Sequence, residues 1–178
     1  MTAAGPGRWS VGVVALHWIG AALILELLGH GWLMVHGGLS AGTTFDLFQW
    51  HKTVGFLALA VTLARLCARI ATHAPPAVPI AWERRLAASV QALLYAATLV
   101  MIASGWLTVS ASPLPIPTEV LGLTIPNIAL PDAALFGAAK VVHAAAAWTI
   151  AGLVALHVAG ALKHAWIDRD GVMARMWR

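Results

Sequence analysis

The chain has 178 residues, 60% of them hydrophobic and 10% charged, where a soluble domain carries about 25% charge. That balance excludes an ordinary water-soluble enzyme. Lipid accepts only helices or closed barrels across its core, and barrel-type alternation is absent, so the expected fold is an all-α integral membrane protein in one domain, residues 1–178. The formal charge of +4 does not point to nucleic acid, because the basic residues sit at the ends of apolar runs, where membrane topology accounts for them.

Four apolar stretches are long enough to supply the roughly 20 helical residues that cross a hydrocarbon core. The first, near 11–35, is too long for the apolar region of a cleaved leader and is expected to remain as a helix. It carries His17 and, half a turn away from the His17 face, Glu26, a residue costly in lipid to which the sequence assigns no role beyond a polar or proton-carrying one. The second span, near 50–71, opens on His51 and ends on Arg65 and Arg69, with the single cysteine, Cys67, between them. One cysteine forms no intramolecular disulfide and holds no iron-sulfur cluster; Cys67 reads as a small buried apolar residue. A polar loop from His73-Ala74-Pro75-Pro76 through Glu83-Arg84-Arg85 precedes the third span, near 86–110. Residues 111–137 contain five prolines and read as a loop that partly caps the bundle, with at most one helical turn. The fourth span, near 138–166, is rich in small residues that permit close helix packing.

The cations fix an orientation. Arg8, Arg65, Arg69, Arg84, Arg85, Lys163, Arg169, Arg175 and Arg178 fall on one side, and Lys52 and Lys140 on the other. By the positive-inside rule both termini and the loop between the second and third spans are cytoplasmic. Trp9, Trp50, Trp82, Trp166 and Trp177 read as headgroup-level anchors.

Four histidines lie inside spans, where ionisable residues need a reason. In alternating helices His17 and His157 share the cytoplasmic depth, and His51 and His143 the outer depth. His143 and His157 are 14 residues apart, about 21 Å along one helix face. Two imidazole pairs stacked across a membrane suit bis-histidine ligation of haem iron. Purely structural histidines, each bonded to a carbonyl, are the bland alternative; zinc or copper would be left under-coordinated. Gly55, Ala144 to Ala147 and Gly160 leave room for a flat macrocycle. Arg65, 14 residues after His51, and Arg69 one turn further are candidate propionate partners, or simply positive-inside anchors. His164, two turns after His157, is a candidate for a quinone carbonyl or proton path, and His30, His36 and His73 read as solvated residues in or near loops.

These residues resemble the bacterial cytochrome b561 family, which includes superoxide oxidases. The resemblance rests on His17-Trp18, on His51-Lys52-Thr53-Val54-Gly55 through Arg65-Leu66-Cys67-Ala68-Arg69, on Leu94-Tyr95 through Gly105-Trp106, on Lys140-Val141-Val142-His143 through Leu156-His157 to His164, and on the tail from Asp168 to Met176. It implies a four-helix bundle of the bacterial inner membrane holding two haem b, one on His17 and His157, the other on His51 and His143, with Trp18 and His164 near ubiquinone. It further implies oxidation of superoxide at the periplasmic face and reduction of ubiquinone. Lys52 and Lys140 adjoin the outer ligands and would draw an anion, although Asp46, Glu119 and Asp132 share that side. The alternatives are an electron-carrier subunit linking a dehydrogenase, hydrogenase or soluble cytochrome to the quinone pool, and a haem-free scaffold or transporter.

Overall fold

The computed structural model describes residues 9–72 and 80–177. Among these it contains helices α1 (Val11–His36), α2 (Ala41–Ala71), α3 (Ala81–Ser110) and α4 (Ala133–Lys163), with strands β1 (Thr118–Val120) and β2 (Leu123–Ile125) between α3 and α4. A π-helical turn, His164–Asp168, prolongs α4, and a 3-10 turn, Met173–Met176, follows it. All four helices are long and apolar enough to cross a membrane. Arg8, His73 and Arg178 lie outside the described residues.

Three of the four helices start where the sequence offers a side-chain partner for orphaned backbone N–H groups. Ser10 accepts from the Val13 N–H at 3.4 Å, Ser40 from Thr43 at 3.2 Å and Asp132 from Leu135 at 2.7 Å, caps worth about 1 kcal/mol each. α3 has no side-chain cap, but Glu83 in its first turn complements the positive end of the helix. The turn from α1 to α2 needs the left-handed backbone of Gly38, φ 59°.

Several sequence expectations require correction. α2 begins at Ala41 rather than near 50, so His51 lies well inside the helix instead of opening it. Thr43, Thr44, Asp46 and Gln49 lower the hydropathy of that first stretch, yet nothing in it breaks a helix capped by Ser40. Trp50 is for the same reason an interior residue and no end anchor. Glu83, Arg84 and Arg85 belong to the first turn of α3 and not to a loop, and the fourth span begins at Ala133. The 111–132 segment contains no helical turn; it forms an antiparallel hairpin with Thr118 opposite Ile125 and Val120 opposite Leu123. Its two-residue tip, Leu121 (φ 51°) and Gly122 (φ 81°), has the paired positive φ values that match strand twist.

The helices associate as two close pairs, α1 with α2 and α3 with α4, whereas α2 and α3 meet less extensively and β1 lies against α2. The buried side chains are mostly small or β-branched: Val54 and Ala58 on α2, Val90 and Val109 on α3, Ala139, Ala146 and Ile150 on α4. Large apolar residues such as Leu25, Trp148 and Ile70 face outward, as lipid allows and water does not. Cys67 is also exposed, so the expectation of a buried thiol fails: it lies on the apolar outer face of α2. We call the end that carries Ser10, Thr72 and Lys163 the terminal end, and the end that carries the hairpin the loop end.

Candidate functional site

At the loop end, α2 and α4 bring the rings of His51 and His143 to a centroid separation of 6.2 Å with their planes at 74°. His143 is held from behind by α3. Its Nδ1 lies 2.9 Å from the Met101 carbonyl oxygen and 3.3 Å from Ser104 Oγ. A carbonyl only accepts, so Nδ1 donates and Nε2 keeps its lone pair for a metal. Gly105 makes this possible, since a Cβ there would stand 2.9 Å from His143 Cε1. Among the described residues, buried Nδ1 of His51 has no hydrogen-bond partner, and α1 approaches that ring at Gly31.

At the terminal end, His17 of α1 and His157 of α4 repeat the arrangement, again 6.2 Å between ring centroids and 58° between planes. Arg65 Nη2 donates to His17 Nδ1 at 3.1 Å. The guanidinium lies 5.5 Å from the Tyr95 ring centre, and buried Gly20 gives its stem passage, with 3.6 Å from a Cβ at that position to Arg65 Cδ. Of the two arginines singled out in the sequence, Arg65 therefore reaches the pair, whereas Arg69 is exposed.

Two imidazoles that share one metal through facing nitrogens, with metal–nitrogen bonds of about 2 Å, have ring centres roughly 6 Å apart. Both pairs have that ring separation. Each offers two imidazole nitrogens, that of His17 once its ring proton sits on Nδ1 and the Arg65 guanidinium turns away, and such a pair suits a haem better than a bare zinc or copper ion. Gly55, one turn below His51, would meet nothing within 4 Å if it carried a Cβ, so protein packing alone does not demand a glycine there.

The other sequence candidates are dispersed. Lys52 is 7% exposed, and its ammonium donates to the carbonyls of Ile116 at 3.0 Å and Pro117 at 3.3 Å, tying the hairpin loop to α2. Thr53 adds a bond to the Glu119 carbonyl at 2.8 Å. Lys140 stands exposed on α4, over the Phe136 ring, so the two lysines do not form one basic patch. Trp18 stacks edgewise on His17, donates from Nε1 to the Met176 carbonyl at 2.9 Å and contacts the Trp177 ring. His164 Nδ1 lies 2.8 Å from Asp170 and 3.1 Å from Asp168. Beside it Lys163 bridges Glu83 at 2.9 Å and Asp168 at 2.6 Å, joining the start of α3 to the end of α4. Glu83, His164 and Asp168 have the spacing of a metal site, but the Lys163 ammonium already serves two of the three carboxylate and imidazole ligands as their cation.

The sequence also left Glu26 without a partner and placed His30 among solvated loop residues. Both belong to α1. Glu26 Oε1 accepts from Trp50 Nε1 at 2.7 Å and lies 3.0 Å from His30 Nδ1. The i, i+4 spacing of Glu26 and His30 was the available signal; the Trp50 partner comes from another helix and was not legible.

The description of the family model that matches residues 8–178 is "Prokaryotic cytochrome b561". A curated relative, "Cytochrome b561 homolog 2" of Escherichia coli (strain K12), is 30% identical over 174 residues, covering 96% of this chain and 92% of the relative. With four apolar spans and two facing histidine pairs already in place, the chain thus belongs to the prokaryotic cytochrome b561 family of b-type haem electron-transfer membrane proteins.

Proposed function

We propose that the chain is a dihaem cytochrome of the bacterial inner membrane that carries electrons from a donor at the loop end, on the periplasmic side, to ubiquinone at the terminal end, on the cytoplasmic side. The observation that carries the reading is the repeated 6.2 Å ring separation at two depths of one bundle. His51 and His143 would hold the outer haem, His17 and His157 the inner one, and each haem would supply a reversible one-electron couple. The chain's own contribution is to fix the imidazoles: Met101 holds the proton on His143 Nδ1, and Arg65 offers a cation beside His17 for a carboxylate such as a propionate.

Superoxide is the leading donor. Two superoxide ions would give up one electron each and leave as dioxygen, while one ubiquinone takes both electrons and two protons to become the quinol. Lys140, exposed at the loop end, favours approach of a small anion. Trp18 and His164 lie at the terminal end, where a quinone would dock. Both termini would face the cytoplasm, a reading supported by the clustering of arginine and lysine at that end.

Oxidised and reduced visible spectra of the detergent-purified protein, haem quantified per chain, and superoxide-dependent ubiquinone reduction on the same sample test this. Two haems with rapid quinone reduction support it; no haem sinks it. A carrier subunit for a protein donor is favoured instead by the loop surface: Leu114, Leu121, Leu123 and Leu130 are each more than two-thirds exposed, and the Lys52 ammonium is consumed by loop carbonyls. Two haems without superoxide activity, together with a copurifying redox protein, would establish that second reading.

A further inference from the structure

The two histidine pairs are alike in spacing and opposite in what stands behind them. Behind His143 is an acceptor, the Met101 carbonyl at 2.9 Å. A ligand imidazole that donates from Nδ1 becomes more electron-rich and stabilises the oxidised metal, lowering its potential. Behind His17 is a donor with a permanent positive charge, Arg65 Nη2 at 3.1 Å. Ligation through Nε2 of His17 would put the ring proton on Nδ1, and the guanidinium would turn from it. The arginine stem nevertheless passes Gly20, and its head lies over Tyr95, so the charge stays beside the ring; the propionates come equally with either haem, and the cation that offsets them at the terminal end disfavours the extra positive charge of oxidised iron.

The remaining charges do not reverse this contrast. At the loop end Lys52 adds one positive charge, drawn toward Ile116 and Pro117 carbonyls, and Glu26 adds one negative charge in the same half of the bundle. At the terminal end Lys163 is matched by Glu83 and Asp168. Among the described residues the partners of Arg65 are His17 and Tyr95, neither of them a carboxylate.

We propose that the terminal-end site has the higher reduction potential and the loop-end site the lower, and that Arg65 and the Met101 carbonyl, the latter reached because residue 105 is glycine, are the positioning groups that set this order. The inference rests on the dihaem reading above. It makes transfer of one electron from the loop-end iron, which is oxidised by one unit, to the terminal-end iron, which is reduced by one unit, downhill without any proton moving.

Spectroelectrochemical titration of the purified, haem-loaded protein tests it. His143→Ala and His17→Ala each leave one haem, which assigns the two components: the haem kept in His143→Ala should titrate at the upper potential and that kept in His17→Ala at the lower. Arg65→Met should shift the upper component down and leave the lower in place, and Arg65→Lys should restore most of the shift. Gly105→Ala, titrated after reconstitution with excess haem because the substitution weakens the outer site, moves the His143 ring off the carbonyl and should raise the lower component alone. A reversed order in the single-haem variants, or an upper component indifferent to Arg65→Met, overturns the inference while leaving two haems standing. Should Arg65→Met fail to load its haem, the order in the single-haem variants still decides. A wild-type protein with fewer than two haems per chain overturns the dihaem reading itself and the inference with it.

Discussion

Replacing Gly105 with alanine tests how closely α3 supports the outer ligand. The new Cβ would stand 2.9 Å from His143 Cε1 and 3.1 Å from Nδ1, well inside contact distance, and it would sit on a helix backbone that cannot retreat without breaking its own hydrogen bonds. The ring must therefore move by several tenths of an ångström, away from the Met101 carbonyl at 2.9 Å. Overpacking of this kind costs about 1–3 kcal/mol, and loss of a buried hydrogen bond adds about 1 kcal/mol. Tenfold in an equilibrium corresponds to about 1.4 kcal/mol, so affinity for the outer haem should fall by roughly ten- to a thousandfold. Haem per chain, measured on protein purified at limiting haem, should drop from two towards one, with thermal unfolding at a lower temperature. Gly29→Ala is the control: a Cβ there meets nothing within 4 Å, and the exchange should be neutral or stabilising by up to about 1 kcal/mol through helix propensity. If Gly105→Ala retains full haem and wild-type stability, the close support of His143 by α3 is wrong.

Three further outcomes follow from the same geometry. His157→Ala and His51→Ala should each remove one haem and spare the other, halving the reduced-minus-oxidised absorbance; loss of both from either change would show that the sites are not independent. Lys52→Met leaves the Ile116 and Pro117 carbonyls without their ammonium donor, which should cost about 1–3 kcal/mol and speed proteolysis within residues 111–132; an unchanged cleavage rate would refute the strut. Trp18→Phe removes the donor to the Met176 carbonyl at 2.9 Å but keeps a ring for His17, so the segment 173–177 should exchange amide hydrogens faster by up to about tenfold for a net loss near 1 kcal/mol, with both haems retained; protection unchanged at those residues would show that the tail does not depend on this bond.

Much of the bundle was legible because lipid imposes two strong rules, uninterrupted apolar length and internally satisfied backbone. They located all four spans and left their ends uncertain: α2 starts at Ala41 because Ser40 can cap it, a local hydrogen bond to which hydropathy is blind. The histidine pairs were also legible, since a spacing of 14 residues on α4 and antiparallel neighbours leave few ways to match depths. The Arg65 position followed from the same register on α2, whereas Arg69, one turn on, has rotated outward.

What the sequence by itself determined is a membrane bundle with four histidines at two depths, because period and length are properties of a single segment. Only the tertiary structure decided what stands behind each ligand: the Met101 carbonyl behind His143, the guanidinium behind His17, Trp50 on Glu26, and the hairpin loop on Lys52. These contacts join residues 24 to 64 positions apart. Their formation depends on helix rotation and on how far one backbone can approach another, which at Gly105 is decided by the lack of a single carbon atom.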